Sequence, residues 1–87
     1  MKLIEQYPKE TLEAMVAAMP KRFQSVIAKN AKCSRVYVAK VFTGDVEVSD
    51  LVLTIISCAN DLIRKRQDAL ERVKKRTDKL LNGVAQQ

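Results

Sequence analysis

The sequence predicts an all-α fold, with four to five helices of which the last is an extended C-terminal helix. Three observations lead to this prediction. The 87 residues include only two Gly and two Pro, which is few for a sandwich or barrel of short strands. Apolar residues recur at spacings of three and four along most of the chain. No Gly or Pro lies between residues 45 and 82, so one long segment is free of helix breakers.

Composition narrows the functional classes to consider. A chain of this length forms one domain with a modest core. It has no His, no Gly-rich phosphate loop and no base predicted near Cys33 or Cys58, which argues against an enzyme and against a zinc site. No apolar run approaches the about 20 residues of a membrane span, and no signal-peptide pattern is present. We therefore expect a cytoplasmic protein with reduced thiols and without a cofactor, metal or small-molecule ligand.

The first two predicted helices follow a short lead-in over residues 1–8. The first runs from Lys9 to Ala18, and Pro20 ends it because the residue before a proline is disfavoured in helical conformation. Its apolar stripe consists of Leu12, Met15, Val16 and Met19. The second is predicted over residues 21–30. Its inward-facing side chains are expected to be Phe23, Val26, Ile27 and Ala28.

The third predicted helix begins after Ser34, whose hydroxyl suits an N-cap. It ends at Phe42 or Thr43, with Val38, Val41 and Phe42 facing inward. Gly44 suits the left-handed residue that follows a helix C-terminus, and residues 45–48 form a loop.

The long helix is predicted to begin after Ser49, a second N-cap. Its first part has a wide apolar face made of Leu51, Val52, Leu53, Ile55, Ile56, Cys58, Ala59, Leu62 and Ile63. Its second part is mainly charged, with a thin apolar stripe of Leu70, Val73, Leu80 and Leu81. We therefore divide the chain into a domain over residues 1–63 and a charged helical extension over residues 64–87.

Two arrangements of this extension remain open. Positions alternate by three and four from Ile56 to Leu80, as in a coiled-coil seam, although Arg66 and Thr77 interrupt it. This spacing favours a homodimerisation arm. The alternative is a solvated terminal helix that folds back on the N-terminal one.

The net charge of +6 is unevenly distributed. Six Lys/Arg and no Asp/Glu lie between Pro20 and Gly44. Such a block is typical of a phosphate-binding surface, although a solvated basic face has the same composition.

The segment 23–44 resembles the helix-turn-helix of lambda-repressor-like domains, the Cro or phage-repressor type. Ala28 matches the small residue of the first helix, and Ser34 matches the capping residue of the second. The ending from Val41 to Gly44 is similar to the close of repressor recognition helices. Lys32 stands where the family usually has Gly, so the turn must hold a non-Gly residue, with φ > 0.

The resemblance implies sequence-specific binding of double-stranded DNA by a repressor-like transcriptional regulator of phage or mobile-element type. The base-contacting residues that it implies are Ser34, Arg35, Val36, Tyr37, Lys40 and Thr43. The implied phosphate contacts are Lys21, Arg22, Gln24, Lys29 and Lys32. Arg35 is the main candidate, because a guanidinium can donate to both O6 and N7 of guanine.

Two other functions remain open at this point. The chain could be a helical protein-interaction adaptor, in which the extension binds another protein. It could also be an architectural protein that binds DNA without sequence preference. The basic segment from Arg64 to Arg76 suits either a partner helix or a second DNA contact.

Overall fold

The computed structural model describes residues 1–85 of the chain and contains five helices within them. The helices are α1 (Leu3–Gln6), α2 (Lys9–Ala18), α3 (Phe23–Ala31), α4 (Arg35–Val41) and α5 (Asp50–Ala85). Apart from one isolated antiparallel bridge between Lys2 and Glu47, the described residues form no β-structure. The all-α prediction is confirmed. The last two residues of the predicted extension, 86–87, lie outside the described residues.

One core holds α2, α3, α4 and the first turns of α5 together. Helix α3 lies at its centre, in contact with both α4 and α5, and α2 also packs on α5. The largest fully buried side chains are Leu3, Leu12, Ile27, Val38, Val41, Val52 and Ile55. Each of the three longer helices α2, α3 and α5 contributes from one stripe, as the apolar spacing predicts.

The N-terminal eight residues are a structured part of the domain, so the predicted lead-in is wrong. Leu3 is only 1% exposed. Its amide donates to the Val46 carbonyl at 2.8 Å, and the Ile4 amide donates to the Gly44 carbonyl at 3.2 Å. These contacts join residues at least 40 positions apart in the sequence, so no local periodicity could indicate them.

An ion pair lies beside this junction. Lys2 Nζ donates to Asp45 Oδ1 at 2.7 Å. The hydrogen bond and the charge of Lys2 hold the pKa of the Asp45 carboxyl below its ordinary value. The first acidic residue after α4 therefore pairs with the lysine that directly precedes α1.

Three side chains expected in the core are exposed instead: Val26 by 37%, Leu51 by 37% and Leu53 by 51%. The buried face of α5 is the narrow stripe of Val52, Ile55, Ile56 and Ala59. Leu51 and Leu53 each lie about 100° around the helix from Val52. Val26 has the same relation to the buried Ile27, so the predicted apolar faces were too wide.

Helix α5 is 36 residues long, which corresponds to about 54 Å. The amide of Val52 donates to Ser49 Oγ at 3.2 Å, which confirms the predicted N-cap. The molecule is 60 Å in its longest dimension. No helix among the described residues is both long and apolar enough to cross a bilayer.

The part of α5 after Ile63, residues 64–85, forms an arm. Arg66 Nη1 donates to the Met19 carbonyl at 2.7 Å, which ties the start of the arm to the end of α2. Beyond Arg66, every side chain described up to residue 83 is exposed. The alternative in which the arm folds back on the N-terminal helix is therefore wrong for these residues.

Candidate nucleic-acid interface

The turn between α3 and α4 fixes how the two helices of the motif meet. Lys32 adopts the left-handed conformation, with φ 56° and ψ 49°. This conformation lets the amides of Lys32 and Cys33 both donate to the Ala28 carbonyl. The expectation that a non-Gly residue occupies the turn with φ > 0 is confirmed.

Ser34 begins α4 by capping it. Its backbone is extended and its Oγ accepts a hydrogen bond from the Tyr37 amide at 3.1 Å. The predicted N-cap is confirmed. The cap fixes the first turn of α4, which carries Arg35 and Val36. The Ser34 hydroxyl therefore already holds one hydrogen bond within the protein, and it is exposed at the same helix end.

Thr43 and Gly44 end α4. Thr43 Oγ1 donates to the Lys40 carbonyl at 2.6 Å and accepts from the Asp45 amide at 3.3 Å. Gly44 has φ 83°, as predicted, and a Cβ at this position would lie 2.9 Å from Ile4 Cβ. Thr43 thus has a capping function that the sequence did not indicate. Its hydroxyl lies at the end of α4 opposite Ser34.

An aromatic contact joins the start of α3 to the end of α4. The rings of Phe23 and Phe42 meet edge to face, with centroids 5.7 Å apart. Phe23 opens α3 and Phe42 follows α4, so the contact joins the outer ends of the two helices. Together with the buried Ile27, Val38 and Val41, it holds α4 with one face inward and the other in solvent.

The outward face of α4 carries three of the implied base contacts. Arg35, Val36 and Lys40 are all exposed, and Val36 is the most exposed large apolar side chain described, at 79%. By helical spacing Val36 and Lys40 form an i, i+4 pair on the side opposite Val38. Tyr37 is half-buried and packs against the core, so only part of its surface is accessible.

The implied phosphate contacts lie around this face. Helix α3 begins at Phe23, two residues later than predicted, so Lys21 and Arg22 lie in the turn that precedes it. Lys29 and Lys32 are exposed and Gln24 is half-buried. Within the described residues none of the six Lys/Arg of segment 20–44 forms an ion pair. None of them therefore has a carboxylate within ion-pair distance, although the charge of Lys40 helps Lys2 to lower the pKa of the Asp45 carboxyl.

Comparison with known proteins neither supports nor contradicts the resemblance: no family model matches the chain, and neither does any curated protein or solved structure.

Lys32→Gly is expected to raise the free energy of unfolding by up to about 1 kcal/mol, because only Gly adopts φ 56° without a Cβ penalty. Lys32→Ala removes the same charge but keeps the Cβ, so it serves as the matched control and should give no such gain. Urea denaturation of both variants measures the difference. Equal stability of the two variants would contradict the proposed cost of the left-handed lysine.

Proposed function

We propose that this protein binds double-stranded DNA sequence-specifically through a lambda-repressor-like helix-turn-helix and acts as a repressor-like transcriptional regulator. The observation that carries the proposal is the outward face of α4. It presents Val36, 79% exposed, between the cations Arg35 and Lys40. Single exposed apolar side chains are common on protein surfaces, but Val36 is flanked by two cations that form no ion pair among the described residues. A helix that enters the major groove has a use for both.

The proposed role of each side chain follows from its position. Arg35, in the first turn of α4, donates to O6 and N7 of guanine, and Val36 contacts a thymine methyl group. Lys40 lies one turn further along the same face. Lys21, Arg22, Lys29 and Lys32 neutralise phosphates and fix the position of α4 without reading sequence. Ser34 and Thr43 serve mainly as the two caps that hold α4 in place.

Selection from a random pool of duplexes tests this function. The full chain is immobilised, random duplexes are bound at low salt and washed at increasing salt, and the duplexes recovered in successive rounds are sequenced. We expect one enriched motif. Salt-sensitive retention without any enriched site would favour architectural binding. No retention at low salt would favour a protein-interaction adaptor instead.

We also propose that the chain forms a parallel homodimer through the arm. Leu70, Val73 and Leu80 are 62–64% exposed. They continue, at the same three-four spacing, the stripe by which α5 packs on its own core. Arg66 occupies a seam position but is already bound to the Met19 carbonyl, so the free seam begins after it.

The charges beside the seam favour the parallel orientation. In a parallel pair the flanking positions place Ala69 opposite Lys74 of the second copy and Arg76 opposite Leu81, so like charges do not meet. An antiparallel pair with Leu70 against Leu80 places Lys74 opposite Lys74 and Arg76 opposite Arg76. The seam from Leu70 to Leu80 is only about 15 Å long, which implies a weak, concentration-dependent dimer.

Sedimentation equilibrium over a range of concentrations tests the dimer. Leu70→Gln combined with Leu80→Gln should leave a monomer, because Gln preserves helix propensity but removes the apolar seam. Asp68→Gln combined with Lys75→Gln changes exposed positions outside the seam and should dimerise like the native chain. A native chain that stays monomeric at every concentration, or a Leu variant that still dimerises, would overturn this assignment.

A further inference from the structure

The arm carries most of the excess positive charge of the chain. Residues 64–82 include eight Lys/Arg and three Asp/Glu, a net charge of +5, whereas the whole chain has +6. The basic block in the helix-turn-helix is therefore balanced by acidic residues elsewhere in residues 1–63. The charge of the arm has no such balance, and the proposed dimer seam does not use it.

One face of the arm carries cations and no carboxylate. Positions 65, 69, 72, 76, 79 and 83 follow each other at alternating spacings of four and three, so they share one face of the helix. This face, the basic stripe, holds four cations and two small residues: Lys65, Ala69, Arg72, Arg76, Lys79 and Gly83. Asp68, Glu71 and Asp78 lie around the helix on another flank.

The cations of the basic stripe are free to bind an external anion. All four are exposed. The one ion pair described in the arm joins Lys75 to Glu71 at 3.9 Å, and neither residue belongs to the basic stripe. Asp68 and Arg72 are spaced i, i+4, but they do not form an ion pair among the described residues. From Lys65 to Lys79 the stripe extends about 21 Å along the helix.

We propose that the basic stripe is a second DNA-binding surface, which contacts the phosphate backbone without reading bases. A protein partner would be expected to bury apolar or aromatic anchors, and the stripe has none. A membrane surface would favour a wide apolar face beside the cations, whereas the apolar stripe of the arm is thin, has no aromatic residue and forms the proposed dimer seam. A duplex requires only a row of cations, since it presents about one negative charge per 1.7 Å.

This surface is separate from the α4 face. The stripe begins at Lys65, past Ile63, the last half-buried residue of α5. Its four-three spacing leads back through Leu62 and Cys58 to the buried Ile55, so the stripe adjoins the core-facing side of α5 and enters solvent only in the arm. The outward face of α4 points away from the core. In the proposed parallel dimer the stripe lies beside the seam and three of its four cations stay clear of it. Both arm functions can therefore operate together. The inference shares its ligand class with the proposed function but does not depend on α4.

The salt dependence of binding to a random-sequence duplex tests the proposal on the full chain. Arg72→Gln, Arg76→Gln and Lys79→Gln are combined in one variant. The slope of log K against log salt is negative, and the loss of three phosphate contacts should reduce its magnitude by about 2.7. The matched control combines Arg64→Gln, Lys74→Gln and Lys75→Gln, which removes three charges from the other flank. Its slope should change by less than about one unit.

An unchanged slope in the stripe variant, or an equal loss in the control, would overturn the proposal. Binding of both variants to polyglutamate is measured in parallel. A stripe variant that loses polyglutamate binding but keeps native DNA binding would overturn the proposal in favour of an acidic protein partner. Circular dichroism and sedimentation of both variants establish that helix and oligomeric state are kept. If Arg35→Ala loses sequence preference while the stripe variant keeps the native salt slope, the stripe proposal alone is rejected. The converse result would reject the α4 assignment alone.

Discussion

Replacing Ile27 by Ala is expected to lower the free energy of unfolding by about 2–5 kcal/mol, the range for a buried Ile. Ile27 is completely buried and lies on α3, the helix that contacts both α4 and α5. The loss comes from the removed apolar area and from the cavity that remains. Since small domains are stable by only about 5–15 kcal/mol in total, the variant should unfold at a much lower urea concentration.

Val26→Ala is the matched control for this prediction. Val26 precedes Ile27 in the same helix but is 37% exposed, so its truncation should cost less than about 1 kcal/mol. Circular dichroism during urea titration measures both variants under the same conditions. Similar losses for the two variants would mean that Val26 faces the core after all and that the orientation of α3 is wrong.

Local signals in the sequence were sufficient to predict most of the fold. The caps Ser34 and Ser49 and the left-handed residue Gly44 each act within one turn of a helix, and a local pattern is enough to place them. The breaker Pro20 ended α2 for the same kind of reason. The uninterrupted run after Ser49 predicted α5 correctly.

Interactions between distant segments limited the prediction. Leu3 is buried where the chain around it pairs with residues 44–46: the Leu3 and Ile4 amides donate to the Val46 and Gly44 carbonyls. No pattern within residues 1–8 indicates that pairing. Leu51 and Leu53 are exposed because the neighbouring helices cover only a narrow stripe of α5. The width of a buried face depends on what packs against it, and apolar residues alone do not reveal that width.

The candidate site was predictable to a similar extent. The exposure of Arg35, Val36 and Lys40 follows from helical spacing once Val38 and Val41 are assigned to the core. The role of Thr43 was not predictable, because its two hydrogen bonds depend on how the chain turns after Phe42. The basic stripe of the arm is visible in the sequence only after α5 is known to be one continuous helix.

Arg35→Ala is expected to weaken binding to the selected duplex by about 5- to 150-fold, equivalent to 1–3 kcal/mol, and to relax one base position. The reason is geometric. Arg35 lies next to the Ser34 cap in the first turn of α4, the part of a recognition helix closest to the base edges. A loss that came only from its charge would weaken all duplexes alike and leave the preferred sequence unchanged.

Arg35→Lys separates these two contributions. Lysine keeps the positive charge but lacks the planar fork that bonds two guanine acceptors at once. The lysine variant should therefore keep the salt slope of the native chain and still lose selectivity at one base position. Quantitative binding to the selected duplex and to its single-base variants, at several salt concentrations, measures both quantities. Native selectivity in the lysine variant would mean that Arg35 acts on phosphate, so that base reading would have to come from Val36 and Lys40.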